Sequence, residues 1–231
     1  MTKTYIEDGI FYIENFLSEE SHAALTEFCN INDFTFDDLY ISQRGKKHVD
    51  FDAPDKYLNA WNEFIIKMEG LFNNNIHSLV PVRDVRCYRK NNGKEDASKK
   101  WTIGPHYDDQ GYRTDYNFQD LDEPVIFYGC AYYINDNYDG GELTYLKKDI
   151  TIKPSSNMLV CHLGNENYEH AAFQNYNNDR FYITAFVLNN KCFNKRPSLC
   201  YMIIFFFPFF AHFNWFGNKQ WITTITSQRN C

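Results

Sequence analysis

Two periodicities divide this chain. After one short strand, apolar residues recur at helical spacing as far as Phe72, whereas from Pro81 to Leu188 they come in short runs broken by turn residues. The strand is Ile10-Phe11-Tyr12-Ile13. Ser18, Glu19, Glu20 and Ser21 then supply a capping oxygen and an acidic first turn, and Ala24, Leu25 and Phe28 follow at helical spacing, so a helix is predicted from Ser18 onward. A second helix is predicted over Pro54 to Phe72, with Leu58, Trp61, Phe64, Ile65, Met68 and Leu71 on its apolar face and the run Asn73-Asn74-Asn75 as its stop. Between the two, the polar stretch Ser42 to Asp55 predicts a loop.

From Pro81 the candidate strands are Val82 to Tyr88, Trp101 to Tyr107, Val125 to Ile134, Glu142 to Leu146, Asp149 to Ile152, Asn157 to His162, Glu169 to Phe173 and Arg180 to Leu188. Asp139-Gly140-Gly141 and Lys153-Pro154-Ser155-Ser156 read as turns, and Arg89 to Lys100 as a charged surface flap. Helices followed by many short strands predict a mainly β fold of the sandwich or jelly-roll kind, buttressed by two or three N-terminal helices. One domain is expected over residues 1–190, with helical support in 1–80 and a β core in 81–190. A tail, 191–231, follows. Its apolar run Leu199 to Phe213 holds Pro208 and spans about 15 residues, short of the roughly 20 that cross a bilayer, so a packed or appended segment is favoured over a membrane anchor.

Composition narrows the classes. Aromatic residues make up 18% of the chain, which suits a ring-packed β core. With 23 Lys plus Arg against 30 Asp plus Glu, the net charge of −7 disfavours a nucleic-acid substrate. The 7 cysteines show neither paired spacing nor a CxxC, so neither a disulfide framework nor a zinc knuckle is expected. Met1 to Phe11 lacks the long apolar run of a secretory signal, and a reducing cytoplasm is the expected compartment.

Candidate chemistry gathers at His106, Asp108 and His170. If residues 106–108 are extended, a two-residue step puts His106 and Asp108 on one face, and an imidazole from a distant strand completes a 2-His-1-carboxylate set for iron. Asp109, on the opposite face by alternation, is the weaker carboxylate. His162 competes with His170, but it ends the apolar run Met158-Leu159-Val160-Cys161, where a core position is expected, whereas His170 opens a strand after a polar loop. Arg180 heads the apolar strand Phe181 to Val187 and offers a planar fork for a carboxylate. Tyr133 could add a hydroxyl to that carboxylate, and Tyr88 and Thr184 are weaker candidates of the same kind.

The ordered pieces Val85-Arg86-Cys87-Tyr88, His106-Tyr107-Asp108, Tyr132 to Asp136, Asp139 to Leu143, Pro154 to Val160, His170 and Arg180 to Thr184 resemble the prolyl 4-hydroxylase type of the Fe(II)/2-oxoglutarate-dependent dioxygenases. The similarity spans about residues 80–190, with a family-like entry at Tyr12 to Glu20. It implies a double-stranded β-helix in which His106, Asp108 and His170 bind iron. It further implies that Arg180 and Tyr133 hold the distal carboxylate of 2-oxoglutarate, with Tyr88 near the cosubstrate and Thr184 lining its pocket. The activity implied is hydroxylation of a C–H bond, by default of a prolyl residue in a peptide or protein, with O₂ consumed, succinate and CO₂ released, and ascorbate among the candidate accessory factors.

The departures lie where substrate would sit. The segment Asp109 to Pro124 is long and matches nothing in the family pattern. An arginine, where many collagen-type members carry lysine, stands at 180, and the position six residues on, an arginine in many nucleic-acid demethylases, is Phe186. A free amino acid or other small molecule remains an alternative substrate. The competing classes are a non-catalytic jelly-roll binding module and a cupin-like metal enzyme without 2-oxoglutarate.

Overall fold

The computed structural model describes residues 1–36, 44–50, 52–72, 79–81, 84–91, 100–110 and 126–188. The Ser18 hydroxyl accepts from the backbone N–H of Ser21 and opens α1 (Glu19–Ile31), which buries Ala24, Leu25, Phe28 and Cys29. Helix α2 (Asp55–Leu71) buries Tyr57, Ala60, Trp61, Phe64, Met68 and Leu71, a stripe rotated slightly from the expected one so that Leu58 and Ile65 lie at its margin. The two helices are tied by a polar lock. Glu63 of α2 accepts from the Ser18 backbone N–H at 2.8 Å and from its hydroxyl at 2.6 Å, and pairs with Lys67 at 2.7 Å.

The strands are β1 (Thr4–Glu7), β2 (Ile10–Ile13), β3 (Thr35–Phe36), β4 (Arg44–His48), β5 (Leu79–Pro81), β6 (Asp84–Tyr88), β7 (Trp101–His106), β8 (Ile126–Tyr133), β9 (Asp139–Gly140), β10 (Leu143–Tyr145), β11 (Ile150–Ile152), β12 (Met158–Leu163), β13 (His170–Phe173), β14 (Asn175–Tyr176) and β15 (Arg180–Leu188). They form a mainly antiparallel jelly roll. Its large sheet runs β1-β2-β12-β8-β15-β6-β4-β3, with β5 beside β15, and a smaller sheet runs β11-β10-β13-β7. The N-terminal region therefore contributes strands as well as helices.

Alternation along the large sheet sorts its residues into two cores. Tyr132, Cys130, Cys161, Ile183, Ala185 and Val187 point outward and pack under α1 and α2 with Phe16, Trp61 and Phe64. Tyr88, Tyr133, Met158, Val160 and Tyr182 point inward and join Leu143, Tyr145 and Ile152 of the small sheet. The inner face thus lies between the two sheets.

The expected polar loop between the helices contains β4, whose Arg-Gly-Lys-Lys-His sequence shows no apolar alternation; its partner β6 fixes it through backbone pairing from Arg44↔Tyr88 to His48↔Asp84. Asp139 and Gly140 form a two-residue ladder with Asn175 and Tyr176, and the chain then bends through positive φ at Gly140 and Gly141, 70° and 71°. The stop at Asn73-Asn74-Asn75, most of the flap Arg89 to Lys100, the segment from Gly111 to Pro124 and the tail 191–231 lie outside the described residues.

Candidate metal centre and carboxylate site

His106 and His170 are opposite one another in the ladder between β7 and β13, which sets their ring centroids 4.4 Å apart. Each ring is oriented from behind. The Nδ1–H of His106 donates to the Gly104 carbonyl at 2.9 Å, and that of His170 to the Tyr168 carbonyl at 3.0 Å. Both Nε2 lone pairs are thereby left facing the same space, the arrangement that metal-binding histidines use.

Asp108 arrives by a different route from the one strand alternation predicts. Strand β7 ends at His106, and residues 108–110 are already helical, so the chain turns to bring the carboxylate back over the sheet. Asp109 holds that turn: its N–H donates to the Gly164 carbonyl at 3.0 Å, and its Oδ1 accepts from the Ile126 N–H at 2.9 Å. It is a structural anchor, turned away from Asp108. Asp108 Oδ1 lies 3.8 Å from His106 Nε2 and 3.9 Å from His170 Nε2, and one donor atom from each of the three residues falls within 4.8 Å of the others. No other group of this kind occurs among the described residues. His106 is the open side of the cluster, its side chain 37% exposed against 8% for His170 and 10% for Asp108.

The protonation states suit a cation. Burial pushes His170 down to about 3, so its ring is neutral near pH 7. Burial alone would favour a neutral Asp108, but the hydrogen bond from His162 and the surrounding imidazoles outweigh it and hold the carboxyl below the usual range. The His162 hydrogen bond is the largest of the lowering causes. The neutral His170 ring, the His106 ring held through its Nδ1–H and the Asp108 carboxylate make a donor set suited to a divalent metal.

His162, which competes with His170 in the sequence, takes the core position that the end of an apolar run predicts. Its side chain does point inward on β12 and is buried, yet Nε2 lies 2.9 Å from Asp108 Oδ2 and Nδ1 3.0 Å from the Tyr145 hydroxyl. Opposite it in the ladder stands Gly129 of β8. A Cβ at Gly129 would meet Asp108 Oδ2 at 1.7 Å and His162 Nε2 at 2.9 Å, so the bare backbone is what admits this pair. A glycine inside the apolar run Ile126 to Tyr133 is the sequence signal for such a close approach.

Farther along the same inner face lies Arg180. It begins β15 opposite Tyr88 of β6, is 2% exposed, and has no acidic partner among the described residues. Its Nη1 donates to the Gly141 carbonyl at 2.7 Å, and the guanidinium sits 4.9 Å from the Tyr88 ring and 5.8 Å from the Tyr182 ring, which stack at 5.2 Å. Gly141 makes room for it, since a Cβ there would meet Tyr138 at 2.6 Å and Arg180 Nη1 at 3.1 Å. Arg180 Nε and the hydroxyls of Tyr138, Tyr182 and Thr184 are buried without hydrogen-bond partners among the described residues. A buried cation beside unmet hydroxyls is costly unless an anion completes it, so this pocket fits a carboxylate. Tyr133 pairs with Tyr182 in the β8–β15 ladder, and burial, partly offset by Arg180, pushes its phenol up to about 12, so it stays a hydrogen-bond donor. Every residue expected at the carboxylate end, Tyr88, Tyr133, Arg180 and Thr184, is thus on or beside this face.

No protein-family model and no curated protein matches the chain. Solved structures do. A viral collagen prolyl hydroxylase from Paramecium bursaria Chlorella virus-1, in a 2OG complex, aligns with a TM-score of 0.51 at 13% identity, covering 80% of this chain and 98% of that one. A prolyl hydroxylase from Trichoplax adhaerens, in complex with a hypoxia inducible factor oxygen degradation domain peptide fragment, aligns with a TM-score of 0.51 at 19% identity over 79% and 84%. An oxidoreductase of the 2OG-Fe(II) oxygenase family from Burkholderia pseudomallei gives a TM-score of 0.51 at 13% identity over 78% and 84%. At such identities the likeness is one of fold: this chain has the jelly roll of the prolyl hydroxylases.

Proposed function

We propose that this chain is an Fe(II)- and 2-oxoglutarate-dependent dioxygenase that hydroxylates a C–H bond, with a prolyl residue of a peptide or protein as the substrate. The observation that carries this is the coexistence, between the two sheets, of the His106, Asp108 and His170 cluster with a buried Arg180 that lacks an acidic partner among the described residues. A binding module has no physical need for both. The likeness in fold to two prolyl hydroxylases, one of them complexed with a peptide, favours a peptidyl substrate.

In this assignment His106 and His170 give their Nε2 lone pairs and Asp108 its Oδ1 to the metal. Arg180 receives the distal carboxylate of 2-oxoglutarate through its free guanidinium edge, a charge-assisted contact in a dry pocket. The Tyr133 hydroxyl donates to the same carboxylate, the Tyr88 and Tyr182 rings hold the guanidinium plane, and Thr184 lines the pocket. Tyr145, Met158 and Val160, all buried, keep bulk water from the face between the two ends. Bound ferrous iron would supply O₂ activation, coupled to oxidative decarboxylation of 2-oxoglutarate to succinate and CO₂. A reducing cytoplasm, which keeps iron ferrous, suits this chemistry, with ascorbate as an accessory reductant to be tested.

The direct experiment measures succinate formed from 2-oxoglutarate under air with Fe(II), with and without added ascorbate. His106→Ala and Asp108→Ala should each abolish it; turnover at the parent rate in either variant would sink the assignment. Mass spectrometry of proline-containing peptides, looking for a gain of one oxygen, tests the substrate separately.

A further inference from the structure

His162 has no part in the proposed chemistry, yet it touches the cluster's only carboxylate. It ends the inward row Met158, Val160, His162 of β12, and its ring centroid is 4.3 Å from that of His170. Two neighbouring imidazoles are nevertheless sorted by their partners. His170 has one nitrogen engaged by the Tyr168 carbonyl and one left over, whereas both nitrogens of His162 are in use. The Tyr145 hydroxyl, fully buried, has Nδ1 of His162 as its acceptor, so its hydrogen goes there. Nε2 is then the N–H, and it donates to Asp108 Oδ2.

The two oxygens of Asp108 therefore have different environments. Oδ1 faces His106 and His170, at 3.8 and 3.9 Å from their Nε2 atoms; Oδ2 faces His162 at 2.9 Å across the bare backbone of Gly129. We infer that His162 is a positioning residue that makes Asp108 a one-oxygen ligand, holding Oδ2 away from the metal and presenting only Oδ1. The inference rests on the metal assignment above. A carboxylate without this restraint can chelate through both oxygens, which takes a coordination position that cosubstrate or O₂ needs, or it can swing off the metal. Tyr145 contributes by keeping the ring in the tautomer that donates.

The test uses the full-length, metal-free chain and needs no turnover. Mn(II) is titrated by calorimetry into the parent, His106→Ala, His162→Leu, His162→Gln and Tyr145→Phe, and the visible d–d spectrum of each Co(II) form is recorded. Leucine keeps apolar volume without a donor, whereas the glutamine amide carries an N–H near the place of Nε2. His162→Leu should weaken Mn(II) binding about 10- to 100-fold and alter the Co(II) spectrum, while His162→Gln should stay within about 3-fold of the parent with a parent-like spectrum. Tyr145→Phe should lie between them. Parent-like affinity and spectrum in His162→Leu would overturn the positioning role, provided that the parent binds Mn(II) and His106→Ala does not, and the metal site would then stand without it. If His162→Leu does not fold, Tyr145→Phe decides, since it removes one hydroxyl and nothing else: parent-like behaviour there overturns the role. A parent that takes up no Mn(II) overturns the metal site itself, and the role of His162 with it.

Discussion

Single atoms decide this site. Gly129 is the sharpest case, because one added methyl would fall 1.7 Å from Asp108 Oδ2. Gly129→Ala is expected to displace the carboxylate and weaken Mn(II) binding by about 10- to 100-fold in a calorimetric titration, the scale at which disturbed supports of metal ligands act. The far-ultraviolet circular dichroism should stay that of the parent, since Gly129 has no positive φ to lose. Arg180 makes the opposite kind of case, a group whose value lies in what it lacks. Arg180→Met should raise the KM for 2-oxoglutarate about 100-fold, about 3 kcal/mol for a charge-assisted contact, and a direct binding measurement with the parent and variant checks it. Lysine at this position restores charge without the fork and should recover only part of the affinity.

At the scale of elements, the α1–α2 lock makes a pH prediction. Burial raises the Glu63 carboxyl, but hydrogen bonds from Lys67, Ser18 and Ser21 overcome that and bring it down to about 2. A carboxyl depressed in the folded state adds stability above its unfolded value, roughly 4.3, and loses it as pH falls toward the folded value. The melting temperature of Glu63→Gln should therefore lie below that of the parent at pH 6, by a stability difference of about 1 kcal/mol for a partly exposed group. The gap should close as pH approaches 2, and a gap independent of pH would rule out this role for Glu63.

The elements legible in the sequence were those whose own residues carry the pattern. Strands β8, β12 and β15 alternate between two cores, and α1 begins at a serine whose hydroxyl does cap it. Strand β4 resembles a loop in the sequence because a run of Arg, Gly, Lys, Lys and His becomes a strand only when β6 lies beside it. The same limit applies to the site. His106, Asp108, His170 and Arg180 stand in an ordered series that can be read directly, whereas the pairing of His162 with Asp108 depends on Gly129, brought opposite by a ladder between distant segments. Even Asp108 reached its place for a reason that periodicity did not supply, a turn anchored by its neighbour Asp109.

For the molecule as a whole, two sheets enclose a metal-donor cluster and a cation with no acidic partner among the described residues, so occupancy should stabilise the fold. Mn(II) and 2-oxoglutarate together, at about 100 times their dissociation constants, should add about 3 kcal/mol for each site filled. In a domain of this size that is a rise of about 6–12 °C in melting temperature, reversed by a chelator. A scanning fluorimetry series with metal alone, cosubstrate alone and both separates the two contributions; no shift with either would contradict the proposed site.

The ladder that sets Ile10 against His162 joins segments far apart in the chain. The strand supporting the Asp108 partner is flanked on one side by β2, which precedes it by almost 150 residues, and on the other by β8, whose far neighbour β15 is the last described. A ribosome-bound chain that has not yet released Arg180 to Leu188 has its histidines but no closed sheet to aim them. Pairings across such long sequence separations form late. Under the proposed function, iron capture and oxygen chemistry would be deferred until synthesis of the β core is complete, and a fragment cut short within it is expected to form no succinate from 2-oxoglutarate.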